Sequence, residues 1–268
     1  MSTIGDRYVL GAGRSDHDRL KVISDIHDLR TRELLVRAGL TGGHRFVEFG
    51  CGLGYVVRWA AARGADATGI DLNPEQVAVA RAMARDARLD CARFRVANIY
   101  EPGLEPQSLD MSYCRWLLVH LNRPVDALRV IYAALKPGGM MVCEEADVSA
   151  IYAEPRSAAY EELRDICLAG GRQRGVDYSG GRRAHTWAQE AGFDLVKVDA
   201  YHPHYLTGEH KGFWNWTLRN IALTLVTEGS LPMARLEELV AGMTEADRSP
   251  DTLVAHCRMH QVIARKPL

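Results

Sequence analysis

Residues 47–54 read Val47-Glu48-Phe49-Gly50-Cys51-Gly52-Leu53-Gly54, and this stretch decides the fold. A short apolar strand runs into three alternating glycines, and YVVRWAAARG at 55–64 then has a helical pattern ended by Gly64. Glycine lets a chain turn sharply and lets a ligand approach the backbone. The helix start that follows offers unpaired N–H groups. A dinucleotide-binding turn prefers G-x-G-x-x-G, which seats a pyrophosphate. Here Tyr55 stands where that third glycine belongs. The Glu48 carboxylate, two places before the first glycine, repels pyrophosphate and suits a cationic ligand.

Upstream, residues 16–38 place Leu20, Ile23, Ile26, Leu29, Leu34 and Leu35 at helical spacing, and Gly39 ends the run. Downstream, ADATGIDL (65–72) reads as a second strand. Asn73 and Pro74 are the N-cap and first turn of a helix. CARFRVANI (91–99) is a third strand, and LDMSYCRWLLVHL (109–121) is a fourth entering a helical turn. A helix over 124–135 closes on a KPGG turn before a fifth strand, MMVCEEA. Helices follow at 155–170 and 182–191, then a sixth strand, FDLVKVDAYH (193–202). Residues 211–246 are helical with a break at Gly229–Pro232, and 253–265 form the last strand. This order predicts an α/β fold with a doubly wound, mostly parallel, seven-stranded sheet.

The 268 residues suit one domain. Within it, 1–40 is an N-terminal helical cap and 41–147 a cofactor-binding core. Residues 148–268 form a substrate-side half with a helical insertion at about 208–250. A formal net charge of −1 disfavours a nucleic-acid partner. Six cysteines without a CxxC pair or zinc spacing read as reduced thiols. No signal peptide or membrane-length apolar run is visible, so the expectation is a cytoplasmic protein. The helices of 211–246 suggest a possible homodimer.

Asp71 ends the second strand 21 residues past Gly50 and suits both ribose hydroxyls of a nucleoside. Asn98, after the third strand, offers an acceptor to an adenine amino group, with Ile99 against the ring. EFGCGLG, GIDLNP, VANI, LDMSYCRWLLVHL and LKPGG, in this order and spacing, resemble the class I S-adenosylmethionine-dependent methyltransferases. The likeness is to their small-molecule branch, similar to ubiquinone/menaquinone-biosynthesis and natural-product enzymes, and covers roughly 16–147. It implies that Glu48, Gly50, Cys51, Gly52 and Gly54 hold the methionine end of the cofactor and that Asp71 and Leu72 hold the ribose. It also implies that Asn98 and Ile99 hold the adenine and that Arg115 lies beside the methionine part. The family usually carries Asp where Asn98 stands.

The implied reaction moves a methyl group from S-adenosylmethionine to oxygen, nitrogen or carbon of a small molecule, leaving S-adenosylhomocysteine and using no metal. His120 is the first candidate base, with His202, His204 and Tyr8 behind it. Trp116, Tyr201 and Trp214 are expected to line the acceptor. Glu145 and Asp147, with Glu144, follow the fifth strand at the expected substrate mouth and tilt the reading toward an amine or zwitterion. The glycine spacing and Glu48 argue against a nicotinamide oxidoreductase. A cofactor-binding protein without methyl transfer is the remaining alternative.

Overall fold

The computed structural model describes residues 14–268. Tyr8, one of the candidate bases, lies outside the described residues. The chain opens on α1 (Arg14–Arg37), then β1 (Arg45–Phe49), α2 (Tyr55–Ala62), β2 (Asp66–Asp71), α3 (Pro74–Asp86), β3 (Ala92–Val96) and β4 (Leu109–Arg115). A 3₁₀ turn at Leu118–His120 leads to α4 (Pro124–Ala134), β5 (Leu135–Asp147), β6 (Tyr152–Glu154), α5 (Ala158–Gln173) and α6 (Ala184–Glu190). The rest is β7 (Asp194–Tyr201), β8 (His204–Tyr205), α7 (Phe213–Thr227), α8 (Met233–Arg248), β9 (Leu253–Ala255) and β10 (Arg258–Arg265). Asn73 caps α3 as its sequence predicts, its side chain accepting from the N–H groups of Glu75 and Gln76.

Seven strands form one sheet in the order β3-β2-β1-β4-β5-β10-β7. β1 to β5 pair in parallel, and β10 runs antiparallel to both β5 and β7. Progress across the sheet reverses between β1 and β4, the place where open α/β sheets bind ligands beyond the carboxyl ends of their strands. Glu48 of β1 sits level with Gly69 of β2 and Tyr113 of β4, so three strand ends converge there.

Alternation along β1 feeds both faces. Phe46 packs with Val57, Ala60 and Met111, while Val47 and Phe49 pack with Leu128, Ile131 and Trp187 on the other side. Phe46 and Phe49 are fully buried, each worth roughly 1.5–3 kcal/mol of hydrophobic stabilisation. A third core gathers Tyr160, Trp214, Leu218, Met243 and Val254 under α5, α7 and α8.

Two expectations are corrected. The last strand is not continuous: it breaks at His256-Cys257, and β9 leaves the main sheet to pair with β6 and β8 in a small antiparallel sheet. The KPGG turn is the kinked start of β5, where Gly138 has φ +78° and the register against β4 slips between Leu109 and Met111.

Candidate functional site

At the end of β1 the backbone enters the left-handed region three times, at Gly50 (φ +68°), Gly52 (+51°) and Gly54 (+68°). The N–H groups of Gly50 and Cys51 both donate to the Ile70 carbonyl, at 2.8 and 3.2 Å, which holds the turn against β2. A Cβ at Gly50 would lie 3.2 Å from Leu117 and one at Gly52 would lie 3.3 Å from Leu20. The third glycine differs. Gly54 does not face the cavity, and a Cβ there would collide with the Phe94 ring. Gly54 therefore serves packing between the turn and β3, not ligand contact.

The cavity beyond this turn has a volume of about 340 Å³, within the usual range for small-molecule sites. One end is walled by Glu48, Gly50, Cys51, Gly52, Asp71, Leu72, Asn98 and Ile99. All of these were singled out from sequence. Glu48 is 5 % exposed, and its Oε2 accepts from the Val57 N–H at 3.2 Å in the first turn of α2. Burial pushes its carboxyl up to about 8, opposed chiefly by the nearby Arg115. Asp71 accepts from the N–H of Gly52 (2.8 Å) and of Asn73 (2.9 Å), which aims its carboxylate across the turn. Asn98 Oδ1 accepts from the Tyr100 N–H at 3.0 Å, so the amide is already oriented.

Leu117 and Leu20 reach the glycine turn, and the wall continues through Trp116, His120 and Leu121 after β4, Arg174, Val176 and Tyr178 after α5, and Arg19 and Ile23 of α1. His120 meets Tyr178 edge-on, ring centroids 5.1 Å apart. Burial, and then the Arg19 charge, lower His120 to about 4, so its imidazole is neutral at ordinary pH. Arg115 reaches both the cavity and α1. Its guanidinium donates to Thr31 Oγ1 at 2.8 Å and to Asp28 at 2.9 Å.

Several sequence candidates are not brought to this cavity. Glu145 points under the 3₁₀ turn, where its carboxylate accepts from the N–H groups of Leu117 (3.1 Å), Leu118 (2.9 Å) and Val119 (3.3 Å). Asp147 caps Ser149 and faces Arg182 at 3.5 Å. Glu144 is held by Thr31, by Tyr113 at 2.7 Å and by Gln261 at 2.8 Å. The acidic cluster thus spends its charge inside the fold, and the tilt toward an amine loses its basis. Tyr201 pairs with His27 Nδ1 at 2.8 Å. His202 and His204 sit by the small sheet, where His204 bonds Tyr152. Trp214 lies behind Trp116, ring centroids 6.3 Å apart. Missed from sequence were Arg19, Tyr55, Arg174, Val176 and Tyr178; Arg19 beside the apolar stripe of Leu20 and Ile23 was the one available signal.

Among the described residues no cluster of three or more His, Cys, Asp or Glu side chains could hold a metal. Nor is any helix there long and apolar enough to cross a membrane.

The family described as "Methyltransferase domain" matches residues 47–143. Over 270 residues the chain is 28 % identical to 24-methylenesterol C-methyltransferase 2 of Oryza sativa subsp. japonica, covering 96 % of this chain and 70 % of that one. It is 27 % identical over 197 residues to the ubiquinone biosynthesis O-methyltransferase of Pseudomonas aeruginosa, covering 71 % and 82 %. The fold matches geranyl diphosphate C-methyltransferase from Streptomyces coelicolor with a TM-score of 0.55 at 17 % identity, over 97 % of this chain and 88 % of that one. The domain match, the two methyltransferase relatives and the strand order agree: residues 47–143 resemble a methyltransferase domain, and the sheet is that of the class I methyltransferase fold.

Proposed function

We propose that the chain transfers the methyl group of S-adenosylmethionine to a small-molecule acceptor held in the His120 end of the cavity. The observation that carries this reading is the continuity of one cavity from the glycine turn to His120 and Tyr178. The donor set fits the cofactor: two carboxylates, Glu48 and Asp71, face it beside a turn whose Cβ positions are filled by Leu117 and Leu20. Glu48 takes the ammonium group, and Arg115 balances the carboxylate of the methionine part. Asp71 faces the ribose hydroxyls. Asn98 and Ile99 take the adenine edge and face.

The cofactor supplies a sulfonium-bound methyl carbon, which the acceptor's lone pair takes as the C–S electrons pass to sulfur. The chain supplies position. Trp116, Leu117 and Leu121 confine the acceptor, exclude water and align it, and such orientation can supply roughly 7–11 kcal/mol. The neutral His120 imidazole offers a lone pair to a proton leaving the acceptor. The net charge of −1 and a cavity of about 340 Å³ favour a small molecule over a polynucleotide. Incubation with methyl-labelled S-adenosylmethionine and a panel of hydroxylated and amino compounds tests this. Label moving to an organic product supports it, and a chain that takes up no S-adenosylhomocysteine refutes it.

A further inference from the structure

Thr31 sits within α1 and is fully buried. A threonine inside a helix usually turns its hydroxyl back to its own backbone or out to solvent. This one reaches off the helix. Its hydroxyl donates to Oε2 of Glu144 on β5 and accepts from the Arg115 guanidinium of β4 at 2.8 Å. The directions are fixed. A guanidinium only donates, so the Thr31 oxygen accepts from it and keeps its one hydrogen for Glu144. Glu144 is itself fully buried and is held from two further sides, by the Tyr113 hydroxyl at 2.7 Å and the Gln261 amide at 2.8 Å. The sheet therefore fixes Glu144, Glu144 fixes the Thr31 hydroxyl, and that hydroxyl fixes one arm of Arg115.

The other arm of Arg115 meets Asp28, with which it forms an ion pair at 2.9 Å. Among the described residues no ion pair joins Arg115 to Glu144, because the Thr31 hydroxyl stands between them. Two donors of the guanidinium are thus spent on α1, and Arg115 still lines the cavity, where it bears on Glu48. The hydroxyl is the neutral link between the cation and Glu144. Without it, Arg115 is drawn between two buried carboxylates, Asp28 and Glu144, and loses the contact that fixes its orientation.

Resting on the methyl-transfer reading above, we propose that Thr31 is a positioning residue for the cofactor: backed by Glu144, it holds the Arg115 guanidinium toward the carboxylate of the methionine part. Calorimetry on the full chain tests this with two ligands, S-adenosylhomocysteine and its decarboxylated analogue, which keeps the ammonium, ribose and adenine. Thr31→Val keeps the side-chain shape and removes the hydroxyl. It should weaken S-adenosylhomocysteine by at least about tenfold and leave the analogue within about twofold. Thr31→Ala, which cannot clash, should show the same selective loss. Thr31→Ser, which keeps the hydroxyl, should bind S-adenosylhomocysteine within about threefold of the unmodified chain. A merely structural role weakens both ligands alike. Equal loss of both, loss of neither, or no rescue by Thr31→Ser overturns this inference alone. An unmodified chain that takes up no S-adenosylhomocysteine overturns the methyl-transfer reading and this inference with it.

Discussion

Asp28 of α1 and Arg115 of β4 form an ion pair at 2.9 Å with side chains only 8 % and 10 % exposed. Ser24 donates a further hydrogen bond to Asp28, and Thr31 accepts one from Arg115. The helix that roofs the cavity is thus fastened to the sheet through buried charge. Removing one partner leaves the other buried without its nearest counter-charge, with only the half-exposed Arg32 left 3.6 Å from Asp28, at a cost of up to about 3–5 kcal/mol. Arg115→Met or Asp28→Asn should lower the melting temperature by roughly 6–20 °C, at about 2–4 °C per kcal/mol for a chain of this size. A midpoint moved by less than about 2 °C in scanning calorimetry would show that α1 is held by other contacts.

Gly54→Ala should damage the protein more than its small size suggests. The added methyl meets the Phe94 ring from a backbone at φ +68°. Overpacking and strain each cost about 1–3 kcal/mol. Urea denaturation should therefore show a loss of about 2 kcal/mol or more. Near-native stability would mean that Phe94 can swing aside.

The Glu48 carboxyl, pushed up to about 8 by burial, stands above its ordinary value of 4.5. Between those values the folded chain keeps a proton that the unfolded chain has released. Its contribution to stability is complete below pH 4.5 and is lost as pH rises through 8. A ligand ammonium set against Glu48 favours the ionised form, so binding below pH 8 releases a proton. Affinity for S-adenosylhomocysteine should climb between pH 6 and 8 by up to about tenfold per unit. Glu48→Gln should flatten that climb and weaken binding. Calorimetry across the range decides it, and a flat profile in the unmodified chain would mean that no cation meets this carboxylate.

His120, lowered to about 4, is neutral at working pH and should place no ionisation of its own in the rate profile above about pH 5. If it accepts the acceptor's proton, His120→Ala lowers kcat by about 10²–10⁴ with S-adenosylhomocysteine affinity unchanged. Turnover equal to that of the unmodified enzyme removes it from the chemistry.

The parallel half of the sheet and the glycine-turn end of the cavity were legible because each rests on local signals. Alternating strands, the glycine turn and the Asn73-Pro74 cap are written within a few residues of where they act. The His120 end was not legible, since it is assembled from α1, the 3₁₀ turn and the stretch after α5, far apart in sequence. Alternation along β5 sets Glu144 and Glu145 on opposite faces. It gave no hint that the chain after β4 folds back to give Glu145 three N–H donors. The small sheet escaped because β8 has two residues and β6 and β9 three each, too short for a period. Gly54 looked like its two neighbours because its Phe94 partner lies 40 residues away.

Glu145 ties the turn carrying His120 to the central strand β5 through one carboxylate beneath three amides. The floor of the cavity is consequently rigid scaffold, anchored from below, whereas its roof and far wall come from helices and their flanks. Variation of α1 and the α5 border can retune which compound is welcomed without tilting the platform on which it rests.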